Sequence, residues 1–200
     1  MKKPVRMFIG YTNDANSVSN WSIRVGTGGS YAHALVMFHY EDGSREYYES
    51  ISKSRKIVSR SGSVYIKNGL GGPFPAGKII DWAAQKPSKR SCYFQEVLGL
   101  TQEEIGACEA FLVRHVPFIS YAKGQILQNA RYLVTGRLGK VKYISPKKWT
   151  CSETAFRCLP DRVRIFCGVD NFCCDWITPS GQRGWGLLSM INRWNESQED

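Results

Sequence analysis

The chain lacks any apolar run near the roughly 20 residues that a membrane-crossing helix requires, so no helical membrane span is expected. Its first residues, MKKPVRMFIGYTND, have the basic start of a secretion signal, but the apolar run Met7 to Ile9 is far too short for the hydrophobic part of one. The expectation is a cytoplasmic protein, or one exported by a route the sequence does not display. Acidic residues are also scarce, 17 against 27 Lys and Arg, which leaves a formal charge of +10 over 200 residues. Such an excess favours anionic surroundings: nucleic acid, anionic lipid or an acidic polymer. The basic residues are nevertheless scattered singly and in pairs from Lys2 to Arg193, the pattern of a solubilising surface more than of a binding groove.

Metal and cofactor signatures are missing too. The seven cysteines, Cys92, Cys108, Cys151, Cys158, Cys167, Cys173 and Cys174, are odd in number and irregular in spacing, which argues against a disulfide scaffold. The late cluster from Cys167 to Cys174 has no nearby histidine and no paired zinc-ligand spacing. The glycine loop GTGGS, Gly26 to Ser30, lacks both the lysine of a P-loop and the GxGxxG spacing of a dinucleotide site. It reads as a mobile loop, and no metal or cofactor is expected.

What is present suits one globular domain over residues 1–200: 42 % hydrophobic and 12 % aromatic residues are ample for a core. Val5 to Tyr11 reads as a first strand and Ser19 to Val25 as a helical turn. HALVMFHY and REYYES, on either side of Asp42-Gly43, form the strongest hairpin signal. Gly62 to Ile66 is a further strand, Lys67 to Gly77 a glycine and proline loop, and Ile79 to Trp82 and Ser91 to Val97 are short strands. Thr101 and Glu104 make a capping box ahead of apolar positions Ile105, Cys108, Leu112 and Val116, with Pro117 ending the helix. Further helices are expected over Lys123 to Val134, from Cys151 onward, and over Arg183 to Trp194. Strands in the middle with helices around them indicate an α+β fold with an antiparallel sheet packed against helices.

Cys151 in KKWTCSETAF has three readings: nucleophile, metal ligand or core. A helix that starts just after Thr150 would place Ser152 and Glu153 in its first turn and put Cys151 among outward-pointing N–H groups. Those groups favour thiolate and can hold an oxyanion. Of the three histidines, His115 ends a helix and His39 lies within an apolar strand. His33, just after the glycine loop, is the best placed base. If Glu41-Asp42-Gly43 is a three-residue turn, Tyr40 pairs with Ser44 and Leu35 with Glu49, so Glu49 becomes a diagonal neighbour of His33 at roughly 7–8 Å. A two-residue turn would send Glu49 to the opposite face.

These residues resemble a known family. NWSIRVGTGGSYAHALVMF, EYYES, Tyr121 with KGQIL, WTCSETAF and ITPSG are together similar to the permuted papain-like amidases, the YiiX-like and YebB-like branch of the NlpC superfamily. The resemblance implies a circularly permuted papain-like fold with histidine before cysteine. It makes Cys151 the nucleophile, His33 the base and Glu49 the orienting third residue, with Tyr121, Ser152 and Tyr31 as substrate-binding residues. Ala32 and Ala122 depart from the family pattern, and Pro179-Ser180 matches its downstream Pro-Ser pair. The implied activity is that of a thiol protease, amidase or related cysteine hydrolase. It would cleave an amide, peptide, ester or thioester through an acyl-enzyme, or transfer the acyl group, with a peptide, lipid or acylated small molecule as substrate. The competing readings are a basic nucleic-acid or polyanion-binding module and a catalytically inactive relative.

Overall fold

The computed structural model describes residues 2–17, 20–21, 23–24, 28–58, 62–122, 147–168, 177–180 and 185–199, without the side chains of residues 54, 55, 57, 65–67 and 185. Five strands, β1 (Pro4–Asp14), β2 (His33–Tyr40), β3 (Arg45–Val58), β4 (Val64–Pro75) and β5 (Arg90–Glu96), form one sheet in the order β4-β3-β2-β1-β5. Every neighbouring pair is antiparallel. The helices are α1 (Gly77–Ala84), α2 (Gln102–His115), α3 (Cys151–Arg157), α4 (Asp161–Phe166) and α5 (Leu187–Glu196). Two short parallel ladders join β6 (Ser120–Tyr121) to β7 (Lys148–Trp149) and β8 (Ile177–Thr178) to β9 (Trp185–Gly186). No helix among the described residues is long and apolar enough to cross a membrane.

The sheet is covered on both faces. Ala34, Val36, Phe38 and Tyr40 of β2, with Met7, Ile9 and Tyr11 of β1, face a large core shared with α2, α3 and α5. Leu35 and Met37 face a smaller one, closed by Phe8, Tyr47 and Ile79 of α1. The period-2 alternation of side chains sends successive residues of β2 to different cores. This explains why HALVMFHY is apolar throughout instead of alternating with polar residues.

Several sequence expectations hold at element level. The capping box at Thr101 and Glu104 opens α2, β5 covers the Ser91–Val97 run almost entirely, and α5 starts four residues after its expected start and ends two after its expected end. Two do not. Lys67 to Gly77 is not a loop: it continues β4 to Pro75. Its glycines serve a strand under close backbone contact. A Cβ on Gly69 would run into the carbonyl oxygen of Ile119 and the Cα of Ser120, where Leu70 N–H donates to Ile119 O. Ile79 to Trp82 is not a strand but the middle of α1. A four-residue run is too short for periodicity to separate the two, and here tertiary packing of Ile79 and Trp82 with Leu35 and Met37 decides it. The helix expected over 123–134 lies outside the described residues.

Glycine substitutions probe this arrangement. Gly69 has φ +126° and no room for a side chain, so Gly69→Ala should cost about 2 kcal/mol or more. Gly106, inside α2, has open space where a Cβ would go, so Gly106→Ala should stabilise by about 0.5–1 kcal/mol. Urea midpoints moving in the same direction for both variants would contradict this picture of β4.

Candidate active site

The hairpin turn sets the geometry. Gly43 has φ +78° and its N–H donates to Tyr40 O, while Tyr40 N–H donates to Ser44 O at 3.0 Å. The loop is therefore Glu41-Asp42-Gly43, with glycine in the left-handed position. Asp42 Oδ1 braces it by accepting from the N–H and hydroxyl of Ser44. The register that follows puts Leu35 opposite Glu49. Glu49 Oε2 then lies 2.7 Å from His33 Nε2, and both groups are largely buried. With Nε2 engaged, Nδ1 is the nitrogen left to meet the thiol.

The thiol arrives from the other side of the sheet. Thr150 caps α3, its hydroxyl accepting from Glu153 N–H while the Glu153 carboxylate accepts from Thr150 N–H. Ala155 and Phe156 anchor that helix in the large core. Cys151 is its first residue, 6 % exposed, and its sulfur is hydrogen-bonded to the His33 side chain. It also accepts from the Ala34 backbone N–H. The ladder explains that donor. Tyr40 N–H points at β3, so the N–H groups of Phe38, Val36 and Ala34 point the same way. Pairing between β2 and β3 stops at Leu35–Glu49. Ala34 N–H is thus left in the plane of the sheet with no strand partner, and Cys151 Sγ takes the place of the missing carbonyl.

Two more groups converge on the sulfur. The Ser152 hydroxyl lies 3.9 Å away, on a residue that is itself fully buried. The Tyr121 side chain lies beside the sulfur and interacts with it. The parallel pairing of Tyr121 with Trp149 holds it there, two residues before the cysteine. Tyr31, by contrast, packs its ring on Tyr11 and Tyr93. Its backbone is clamped by Ser180, whose Oγ accepts from Tyr31 N–H at 2.8 Å and donates to Tyr31 O at 3.3 Å. Ser180 therefore fixes the segment that leads into His33. Sequence reasoning missed both this role and the Ala34 N–H; the latter could have been found by continuing the hydrogen-bond parity of the hairpin.

The other histidines have structural work. His115 Nδ1 bonds Phe111 O, and its ring packs on Phe111 and Trp149. His39 stacks on Phe8, and burial, then Arg45 and Arg6, hold its imidazolium below the usual range. Among the described residues no cluster of His, Cys, Asp and Glu could hold a metal ion.

Electrostatics sets Cys151 apart. Burial pushes its thiol up, but the His33 imidazolium and the Ala34 and Ser152 hydrogen bonds outweigh it and bring the thiol to about 7. Burial works against the His33 imidazolium as well. The Cys151 thiolate and the Glu49 carboxylate overcome it and raise His33 to about 10. Between those values the pair is thiolate and imidazolium. Burial moves the other described cysteines the opposite way: Cys108 up to about 12, and Cys92, Cys158 and Cys167 above their usual range. Tyr121 is raised by burial and by the adjacent sulfur, so it stays a protonated donor.

No family model, curated protein or solved structure matches the chain.

Thiol labelling tests the geometry directly. Iodoacetamide should modify Cys151 before Cys92 or Cys108, with a rate that rises as pH passes about 7 and then levels until His33 loses its proton near 10. His33→Ala should move that rise to higher pH. Peptide mass mapping that ranks Cys151 level with Cys92 at neutral pH would refute the ion pair.

Proposed function

We propose that the chain is a cysteine hydrolase of the permuted papain-like type, acting on an amide, peptide or (thio)ester through a Cys151 acyl-enzyme. The observation that carries this reading is one chain of contacts: Cys151 sulfur bonded to His33, and His33 Nε2 bonded to Glu49 at 2.7 Å. A buried, partnered thiolate is a prepared nucleophile. His33, already protonated, gives its proton to the departing amine or alcohol. It then takes one from water as that water attacks the acyl-enzyme. Glu49 holds the imidazole in orientation and balances its charge throughout. The order of the residues, histidine and glutamate on adjoining strands and cysteine at a later helix start, is the order that the family resemblance implies.

Charge that develops on the substrate oxygen needs donors. The N–H groups of Cys151 and Ser152, in the first turn of α3, have no acceptor within the helix. Tyr121 supplies an O–H beside the sulfur. When Cys151 is acylated its negative charge disappears, and Tyr121 is free to turn from sulfur to the oxyanion. An acyl acceptor other than water would make the same site a transferase. The basic binding-module reading gains no support from this cluster, because polyanion binding does not require a buried thiolate.

An activated ester provides the test without knowledge of the natural substrate. Incubation with p-nitrophenyl acetate should add one acetyl group, mapped to Cys151, and Cys151→Ala should abolish it. Glu49→Gln should slow turnover by one or more orders of magnitude with little loss of stability. Glu46→Gln weakens a 3.5 Å pairing with Lys2 away from His33 and should leave turnover nearly unchanged. Equal small effects of the two substitutions would remove Glu49 from the site. Acetylation spread over several cysteines would refute the nucleophile.

A further inference from the structure

The β3–β4 ribbon extends past the part of the sheet that holds the site. β3 pairs with β2 only from Arg45 to Glu49. Beyond that its partner is β4, through Ile51–Gly69, a bulge, and then Arg55–Lys67, Lys56–Ile66, Ile57–Tyr65 and Val58–Val64. Ile51 to Val58 is strand on the order of 20 Å long.

Its strands are rich in cations. From Ile51 to Ile80 there is no Asp or Glu, whereas the ribbon strands carry Lys53, Arg55, Lys56 and Lys67. Several basic residues outside the ribbon are paired with acidic ones, as in Arg6–Glu96, Arg90–Asp14 and Arg162–Glu104. Lys53 and Lys56 are exposed. At the far end of the ladder Val58 and Val64 are paired with each other and are 48 % and 54 % exposed. An exposed cross-strand valine pair gains nothing from water. Phosphate contacts along nucleic acid would not need it either. Basic residues behind an apolar end match a membrane interface, where cations meet anionic headgroups and apolar side chains enter the acyl boundary.

We infer that the β3–β4 ribbon is a docking surface for anionic lipid bilayers, with Lys53 and Lys56 engaging headgroups and the Val58–Val64 pair inserting at the interface. This rests on charge and exposure alone and is independent of the chemistry proposed at Cys151.

Vesicle co-sedimentation of the full chain tests it. The protein should pellet with phosphatidylcholine vesicles containing about 30 % phosphatidylserine, not with phosphatidylcholine alone, and less at physiological than at low salt. Each cation removed near an anionic surface weakens partitioning about five-fold. Lys53→Ala with Lys56→Ala should therefore lower it about 25-fold. The exposed pair Lys86→Ala with Lys89→Ala serves as control and should change it less than about two-fold. Val58→Ser with Val64→Ser should weaken binding without altering its salt dependence. Near-ultraviolet circular dichroism confirms that the variants are folded. Failure to pellet, or equal losses from the control pair, would overturn the proposal. So would duplex DNA binding that is tighter than vesicle binding and indifferent to the valines, since it would identify a nucleic-acid ribbon instead.

Discussion

The pairing of Leu35 with Glu49 is the constraint on which the rest of the site depends. β2 is apolar on both faces because each faces a core. Hydrophobic patterning therefore does little to prevent it from sliding by one residue against β3. The turn does what the pattern cannot. Gly43 in the left-handed region and the Asp42–Ser44 brace make the loop three residues long, and that odd number puts Glu49 on the same face as His33. A slip of one residue would turn the Glu49 carboxylate toward the large apolar core, where a charge has no counterion. The turn thus protects the fold and the site by the same register.

A buried ion pair is stable only when each charge has more than its partner to satisfy it. The sulfur has Ala34 N–H, the Ser152 hydroxyl and Tyr121 besides His33, and the imidazolium has Glu49 besides the sulfur. These groups come from four places: the start of β2, the middle of β3, the β6 strand and the head of α3. No single element holds the site, so its order depends on the sheet, the β6–β7 pairing and the α3 cap together. The Thr150–Glu153 capping box matters here because it fixes where the helix begins, and with it the position of the thiol.

Much of this was legible in the sequence because it depends on local chemistry. Asp42-Gly43 specified a turn, Thr101 and Glu104 specified a helix start, and WTCSET placed a cysteine where N–H groups converge. The spacing from His33 to Glu49 allowed the contact once an odd turn was assumed. What was not legible depends on distant chain. Gly69 of β4 looked like part of a loop because the Ile119–Ser120 backbone that requires it lies some 50 positions away. The α1 run looked like a strand because the surface it packs on comes from β2 and β3. Ser180 looked like part of a motif with no task, because Tyr31 lies 149 residues before it.

One structural event accounts for both unusual features of the chain. β3 stops pairing with β2 after Glu49. That departure leaves Ala34 N–H without a carbonyl, which opens a place for sulfur in the sheet plane. The same departure frees the outer half of β3 to continue with β4 as a cationic ribbon. Had β2 and β3 stayed paired through Ala34 and Ser50, the thiolate would lose its backbone donor. On the same β3 residue the Ser50 hydroxyl donates to the carbonyl oxygen of Trp149, two residues before Cys151. The strand that orients the base is also the strand that becomes the ribbon, so whatever fixes the ribbon is joined through a few residues of β3 to the carboxylate at His33.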